Sequence, residues 1–284
     1  SAAVRPLSSE GIHRVIETVH WGERPSDKIR IASYYGMRVA SGLLRRDHDI
    51  LAGMYPKYWI GDVRASTPLG KFLCRARTID FDIVNPNYEA IEVEVFRDRL
   101  LRTRPQDTVC LDVGAQIGKF SVLAGHTLRR SGHVFAFEPE LSNFAALQHN
   151  LELNGLRNVQ AFNIACGAVD GGGTLNLSTT NIGAHTLRNV EGAERIAVQI
   201  RALDRFLGEH GVDHVDVAKL DVEYMEADVL RGARGILEAS PRASVLFEET
   251  RPPGTADSVR LLRGLGYGVT HLAGNIYVAD RLSE

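Results

Sequence analysis

The chain has 284 residues, which is long enough for one large α/β core or for one core with a smaller appended domain. Its formal net charge at pH 7 is −2, and its lysines and arginines are spread along the chain. This balance disfavours a nucleic-acid partner, since nucleic-acid-binding proteins usually carry a basic stripe or face.

Cysteine spacing and hydropathy bound the protein class further. The three cysteines, Cys74, Cys110 and Cys166, form no CxxC or Cys/His pattern typical of structural zinc. No apolar run approaches the ~20 residues of a membrane span, and the N-terminus lacks the layout of a signal peptide. We therefore expect a cytoplasmic protein in a reducing compartment, without a membrane span.

Residues 1–104 are predicted to form a mainly helical cap or extension with a short β segment. Apolar residues recur at three- and four-residue steps within 8–22 and 26–55, which predicts two helices. One or two strands are expected within 70–84, followed by a helix that ends near Pro105. A substrate lid and a homodimer surface are the two roles that this extension suggests.

Residues 105–284 alternate between strand-like apolar runs and helical patterns. This alternation predicts βαβ units in an α/β fold, with a largely parallel sheet covered on both faces. The last two strand-like runs are separated only by "AGN", so they are predicted to form a hairpin whose last strand is antiparallel. Residues 171–201 interrupt the alternation and are expected to form a β insertion over the active site. Strands are expected within 108–114, 133–139, 158–165, 215–223 and 243–249, and helices within 117–130, 140–154, 203–210 and 224–238.

The stretch "LDVGAQIGKFSVLAG", residues 111–125, lies where the first of these strands meets its helix. Its glycine spacing, Gly114 followed by Gly118, differs from the GxGxxG of dinucleotide-binding sites. Asp112 precedes the turn and would repel a pyrophosphate but attract a cationic group. Glu138 ends the second strand, where an acid can accept hydrogen bonds from ribose hydroxyls. A ligand with a ribose, a positive amino-acid end and no phosphate is S-adenosylmethionine; the alternative is a structural turn flanked by two solvated acids.

Longer segments resemble a known family. The strings "LDVGAQIGKFS", "FEPE", "LNGLRNVQAFNIACGAVDG" and "KLDVEYMEADVLRGA" follow one another as in the FkbM family of S-adenosylmethionine-dependent methyltransferases. The similarity covers roughly residues 105–280. It implies a seven-stranded class I methyltransferase fold of the Rossmann-like α/β type. It also implies O-methylation of a hydroxyl on a sugar or glycan, a polyketide or a related small molecule.

The resemblance extends to individual residues. Family members often carry glycine where this chain has Tyr224, so we expect this phenol to reshape the pocket or to contact the substrate. An alternative role for Asn163 is to cap a strand end. The residues that matching positions imply for the cofactor are Asp112, Gly114, Gln116 and Gly118 at the methionine end, Glu138 at the ribose, and Asn163 and Ala165 near the adenine.

Transfer to a hydroxyl requires the acceptor oxygen in line with the methyl group and a base within hydrogen-bond reach. Asp221 and Glu223 follow the fourth strand of the predicted sheet. Glu248 and Glu249 end the fifth strand and should face opposite ways, so only one of them can serve. His185, in the tip of the insertion, is expected at the same mouth. We expect the base among Asp221, Glu223, Glu249 and His185.

Each acid also has a structural interpretation. Asp221 can pair with Lys219, Glu223 can cap the following helix, and Glu249 can pair with Arg251. Several acids in one mouth can hold a divalent metal ion, yet no Asp/Asn/Glu string specifies ligands, so no metal is assigned.

Two other functions stay open from the sequence. One is a methyltransferase with a nitrogen or protein acceptor, although "DVEY" lacks the Asn/Asp-Pro-Pro-aromatic pattern of N-methylating enzymes. The other is a non-catalytic module that binds S-adenosylmethionine, or a Rossmann-like dehydrogenase, which the glycine spacing disfavours.

Overall fold

The computed structural model of the chain describes residues 9–43, 61–103, 107–129, 132–177, 194–249 and 256–282. The chain divides into two compact units, Ser1–Tyr88 and Glu89–Glu284. Within the described ranges, no helix combines the length and the apolar composition that crossing a bilayer requires.

The first unit combines helices with a β-hairpin. Its second helix begins at Pro25, whose restricted φ suits the first helical position. Asp27, in the first turn, accepts a hydrogen bond from the backbone N–H of Arg24 at 3.1 Å. Residues 70–84 contain one strand and a short helix. The element bounds are α1 Ser9–His20, α2 Pro25–Leu43, β1 Val63–Thr67, β2 Gly70–Cys74 and α3 Asp80–Ile83.

Helix α4, Ala90–Arg102, belongs to the second unit although it precedes the first strand of the main sheet. It packs against the helix that follows that strand. Arg99 also donates two hydrogen bonds, of 2.8 and 2.7 Å, to the carboxylate of Asp280 in the last strand. Because these contacts join α4 to the sheet, the division falls after Tyr88 rather than after the expected residue 104.

Within the described ranges, the second unit is built on a seven-stranded sheet with the order β11-β12-β10-β9-β3-β4-β5. Strands β5, β4, β3, β9 and β10 pair in parallel, while β12 runs antiparallel to both β10 and β11. This arrangement confirms the predicted α/β fold with an antiparallel last strand. The bounds are β3 Thr108–Val113, β4 Gly132–Phe137, β5 Val159–Phe162, β9 Val217–Leu220, β10 Ser244–Glu248, β11 Tyr267–Ala273 and β12 Ile276–Arg281.

Strand β3 is an interior strand between β9 and β4, and all six of its residues are buried, as expected for a parallel strand covered on both faces. Its Val113 shares one hydrophobic core with Phe137 of β4 and Leu220 of β9. The helix expected over residues 224–238 is two helices that meet at Ala233. The helix bounds are α5 Lys119–Leu128, α6 Leu141–Leu153, α7 Leu203–Glu209, α8 Glu226–Gly232, α9 Arg234–Ala239 and α10 Asp257–Gly264.

The insertion contributes a separate small sheet. Strand β7, Gly171–Leu177, pairs antiparallel with β8, Glu194–Arg201, and β8 pairs in parallel with the short β6, Ala165–Cys166. This pairing agrees with a hairpin-like excursion. The tip of the insertion, including the candidate base His185, lies outside the described residues.

Candidate active site

A pocket opens in the second unit at the carboxyl ends of β3, β4 and β9, and its empty space, open solvent included, is about 570 Å³. The strand order reverses between β3 and β9, and ligands of open parallel sheets bind beside such a reversal. Polar groups of Gln116, Glu138 and Asp221 share the pocket with the apolar side chains of Phe137 and Ile164. The pocket therefore offers one apolar wall and several convergent acceptors, the usual composition of a small-molecule site.

The turn between β3 and α5 is shaped by its neighbouring strands. The backbone N–H groups of Gly114 and Ala115 both donate to the carbonyl of Phe137, each at 3.0 Å. Gly114 has a φ of +85°, and a Cβ there would lie 1.8 Å from the carbonyl oxygen of Asp221. Gly118, with a φ of +93°, faces the Leu147 side chain at 2.6 Å from an added Cβ. The backbone contact at Gly114 and the left-handed φ of both residues thus explain both glycines, whatever ligand the pocket takes.

Glu138 is a buried carboxylate at the end of β4, as predicted, and it lines the pocket. One of its oxygens accepts the backbone N–H of Gln116 and the other that of Glu140, both at 2.8 Å. A carboxylate has about four acceptor positions, so each oxygen retains capacity for a ligand hydroxyl. Burial raises the pKa of Glu138 to about 7, although both backbone donors oppose this rise.

The two residues predicted near the adenine differ in their positions. Ala165 lines the pocket, together with its neighbour Cys166. The side-chain amide of Asn163 donates to the carbonyls of Glu138 and Pro139, at 2.9 and 3.0 Å. Asn163 therefore ties the end of β5 to the end of β4, which is the strand-end role considered as its alternative.

Asp112 is buried but is not among the described residues that line the pocket. Its carboxylate accepts a 2.6 Å hydrogen bond from the hydroxyl of Ser121 in α5. Lys219 lies opposite Asp112 in the register of β3 and β9. Burial raises the pKa of Asp112 to about 6, and Ser121 and Lys219 oppose this rise. The structure thus places Asp112 in a buried polar network with Ser121 and Lys219.

Asp221 and Glu223 both line the pocket, as expected from their positions two residues apart. Strand β9 ends at Leu220, so they belong to the loop before α8. The ammonium of Lys219 lies 3.0 Å from Asp221 Oδ2 and 4.5 Å from the centre of the Phe120 ring. This ion pair was considered as a structural role for Asp221, and the structure shows it together with access to the pocket.

Glu248 and Glu249 diverge at the end of β10, as the alternation of a strand predicts. Carboxylate oxygens of Glu248, Asp221 and Glu89 all lie within 4.8 Å of one another. Burial and the Asp221 charge raise the pKa of Glu248 to about 7. Glu249 is also buried. Burial raises the pKa of Glu226 to about 7, and the charges of Asp221 and Glu249 add to this rise. The structure brings Glu248 to Asp221, whereas Glu249 was the expected candidate.

The three clustered carboxylates have the donor chemistry of a divalent-cation site. Two of them are already neutralised in part by buried lysines. Lys119 pairs with Glu89 at 3.0 Å, and Lys219 pairs with Asp221 at the same distance. This arrangement is that of a buried ion-pair network, in which each lysine occupies one side of a carboxylate.

Tyr224 and Met225 are neighbours in the loop before α8, and Met225 lies elsewhere than the helical pattern predicted. Met225, which the helical pattern placed in the core, is half-buried and lines the pocket. Tyr224 is 43% exposed and has a φ of +74°.

Asn143, which no sequence pattern indicated, also lines the pocket from the first turn of α6. Its signal in the sequence is weak because it stands inside an ordinary helical segment.

The sequence of this chain is similar to those of known proteins. The family described as "Methyltransferase FkbM domain" matches residues 112–269. Methyltransferase 1 of Beauveria bassiana is 29% identical over 182 residues, which cover 55% of this chain and 73% of that protein. Methyltransferase sdnD of Sordaria araneosa is 28% identical over 213 residues, covering 62% of this chain and 81% of that protein.

Among solved structures, methyltransferase FkbM from Methylobacillus flagellatus KT is 16% identical, with a TM-score of 0.47. The alignment covers 92% of this chain, which spans 60% of that chain. The observed strand order agrees with the class I methyltransferase fold that the resemblance implied. The family model matches more than half of the length of this chain, and the chain therefore belongs to the FkbM methyltransferase family.

Proposed function

We propose that this protein transfers a methyl group from S-adenosylmethionine to a hydroxyl of a small molecule, a sugar or glycan, or a natural product. The observation that carries the proposal is the joint presence of Glu138 and of the Asp221–Glu223 pair in one pocket. The first is suited to a ribose and the second to the proton of an acceptor hydroxyl.

The described residues fit the cofactor. Glu138 would accept hydrogen bonds from the ribose hydroxyls through the acceptor positions that Gln116 and Glu140 leave open. Phe137, Ile164 and Ala165 would cover the apolar adenine. When bound, the cofactor supplies an electrophilic methyl group on a sulfonium.

The residues after β9 would handle the acceptor proton. Asp221 lies at the pocket wall with one oxygen held by Lys219, which fixes the orientation of the carboxylate. Asp221 would accept the proton of the acceptor hydroxyl, and the bound cofactor would supply the methyl group. Glu223, on the same wall, is a second acceptor for that proton, and burial and Asp221 raise its pKa. Positioning then supplies most of the remaining rate enhancement.

The cofactor and the chemistry can be tested separately. Calorimetric titration with S-adenosylmethionine is expected to show binding, and titration with NAD is expected to show none. Binding of NAD alone would overturn the proposal. A screen of hydroxyl and amine acceptors with a labelled methyl donor, repeated with EDTA, then identifies the acceptor class and tests for a metal requirement.

Asp221→Asn is the variant that tests the base. We expect turnover to fall by about 10²–10⁴-fold, the usual contribution of a positioned base, with cofactor affinity changed by less than about threefold. Asp213→Asn is the matched control because Asp213 is an exposed carboxylate outside the pocket. Unchanged turnover of Asp221→Asn would remove Asp221 from the chemistry.

A further inference from the structure

The loop between β9 and α8 forms one wall of the pocket. Asp221, Val222, Glu223 and Met225 of this loop line the pocket, whereas Tyr224 is not among the described lining residues. The path of the loop backbone therefore decides where the two proposed proton acceptors, Asp221 and Glu223, lie relative to a bound substrate.

Asp221 is held by the central strands and by a lysine. Its backbone N–H donates to the carbonyl of Val113 at 2.9 Å, which continues the parallel pairing of β3 and β9 beyond Leu220. Its Oδ2 lies 3.0 Å from the ammonium of Lys219. The backbone and the carboxylate of Asp221 are thus both fixed, and Glu223 lies two residues further along the loop.

The peptide group that joins Glu223 to Tyr224 is held by a third acid, Glu226. The N–H of Tyr224 donates to Glu226 Oε1 at 3.2 Å. Because a peptide group is planar, fixing this N–H also fixes the plane that begins at the Cα of Glu223. One dihedral, ψ of Glu223, then remains between this plane and the Cβ of Glu223. The hydrogen bond therefore restricts where the Glu223 carboxylate can point.

Glu226 presents its carboxylate from a well-packed support. It is the first residue of α8 and only 6% exposed. Val229 and Leu230 of the same helix belong to the hydrophobic core. At the end of α8, a Cβ added to Gly232 would lie 2.0 Å from the carbonyl oxygen of Gly167. Close packing along α8 thus fixes the place from which Glu226 reaches the loop.

We propose that Glu226 is a positioning residue, which directs the Glu223 carboxylate toward the acceptor hydroxyl by holding the peptide group between Glu223 and Tyr224. This inference rests on the proposed transfer to a hydroxyl. It adds that the two proton acceptors are positioned separately, Asp221 by Lys219 and Glu223 by Glu226.

Three variants of Glu226 separate its acceptor oxygen from its charge and its shape. Glu226→Gln keeps a carbonyl acceptor at the same reach and removes the charge. Glu226→Met keeps the length of the side chain and removes the oxygen acceptor. Glu226→Asp keeps the charge but withdraws its oxygens by one methylene group. The proposal requires the Gln variant to behave as the wild type, and the Met and Asp variants to share one defect.

Solvent exchange of the Tyr224 amide proton, measured by NMR on the full chain, tests the contact itself. We expect exchange to be about tenfold faster in Glu226→Met and Glu226→Asp, because the hydrogen bond is lost. Glu226→Gln should stay within about twofold of the wild type. Glu238→Met is the matched control and should change nothing, since Glu238 is an exposed helical carboxylate that pairs with Arg234 in α9.

A double-mutant cycle tests whether Glu226 acts through Glu223. With the hydroxyl acceptor that the screen identifies, Glu223→Gln and Glu226→Met should each lower kcat by about 10–100-fold. The KM for S-adenosylmethionine should change by less than about threefold in both. The double variant should be no slower than the slower single variant, because the second change removes nothing further. Glu226→Gln should retain kcat within about threefold of the wild type.

Three results would overturn the inference. They are unchanged Tyr224 exchange in Glu226→Met and Glu226→Asp, a Glu226→Gln protein as slow as Glu226→Met, and losses of kcat that multiply in the double variant. Thermal unfolding identifies a variant that fails to fold, and the Asp variant then replaces the Met variant in the cycle. Failure of the proposed function is recognised separately, because the wild type would then not bind S-adenosylmethionine in calorimetry.

Discussion

At the residue scale, Glu138 links the structure most directly to a measurable property. Its carboxylate is buried, and each oxygen already holds one backbone N–H at 2.8 Å. Hydrogen bonds from these donors favour the ionised carboxylate, and burial disfavours it. The pKa rises to about 7, which shows that burial has the larger effect. The protonation state of Glu138 therefore changes within the physiological range of pH.

We expect the affinity for S-adenosylmethionine to depend on this protonation. Ribose hydroxyls donate to the ionised carboxylate, so affinity should be highest above pH 7 and fall by about tenfold between pH 8 and pH 6. The direction follows because the pKa is raised, so protons compete with the ligand as the pH falls through 7. Calorimetry at both pH values measures the change.

Glu138→Gln is the matching variant for this pH dependence. It places an amide N–H₂ against one of the backbone donors of Gln116 and Glu140, so affinity at pH 8 should fall by about tenfold or more. Its affinity should also lose the dependence between pH 6 and pH 8. Equal affinity of the wild type at the two pH values would contradict the role given to Glu138.

At the scale of elements, the turn from β3 to α5 meets the end of β9. The family resemblance implied that Gly114 stands at the methionine end of the cofactor. The structure shows a further reason for glycine there, because a Cβ on Gly114 would overlap the carbonyl oxygen of Asp221 at 1.8 Å. The same close approach joins the turn to the loop that carries Asp221 and Glu223, so the turn and this loop form one packed unit.

Gly114→Ala should therefore lower stability and activity together. Left-handed strain and the backbone overlap together cost about 2–4 kcal/mol of the free energy of unfolding. Urea unfolding measures this change. Gly172→Ala is the control, since no atom lies within 4 Å of an added Cβ at that exposed strand position. Equal stability of the two variants would show that the close contact is not maintained in solution.

At the scale of the whole second unit, buried lysines hold distant acidic residues together. Lys219 pairs with Asp221 at 3.0 Å and faces Asp112 across the sheet, while Lys119 pairs with Glu89 at the start of α4. The side chains of both lysines are only 3% exposed. Removing one partner from such a pair leaves an uncompensated charge in the interior.

Lys219→Met should therefore lower the free energy of unfolding by about 3–5 kcal/mol, which is typical of breaking one side of a buried ion pair. Urea unfolding at pH 7.5 checks the value. Lys71→Met, at an exposed position, is the control for the change of residue type and should stay within about 0.5 kcal/mol of the wild type. A Lys219→Met protein as stable as this control would show that the network contributes little.

The sequence by itself determined the fold class, the position of the pocket and the acid at the end of β4. These features follow from local patterns, since alternating apolar strands and helices specify a parallel sheet and a parallel sheet places its ligand edge at the strand ends. The tertiary structure alone decided which acids meet. It buried Asp112 against Ser121 and joined Asp221 to Glu248 and Glu89. The physical reason is that these neighbours come from separate elements, and their contacts depend on how helices and strands distant in the chain pack.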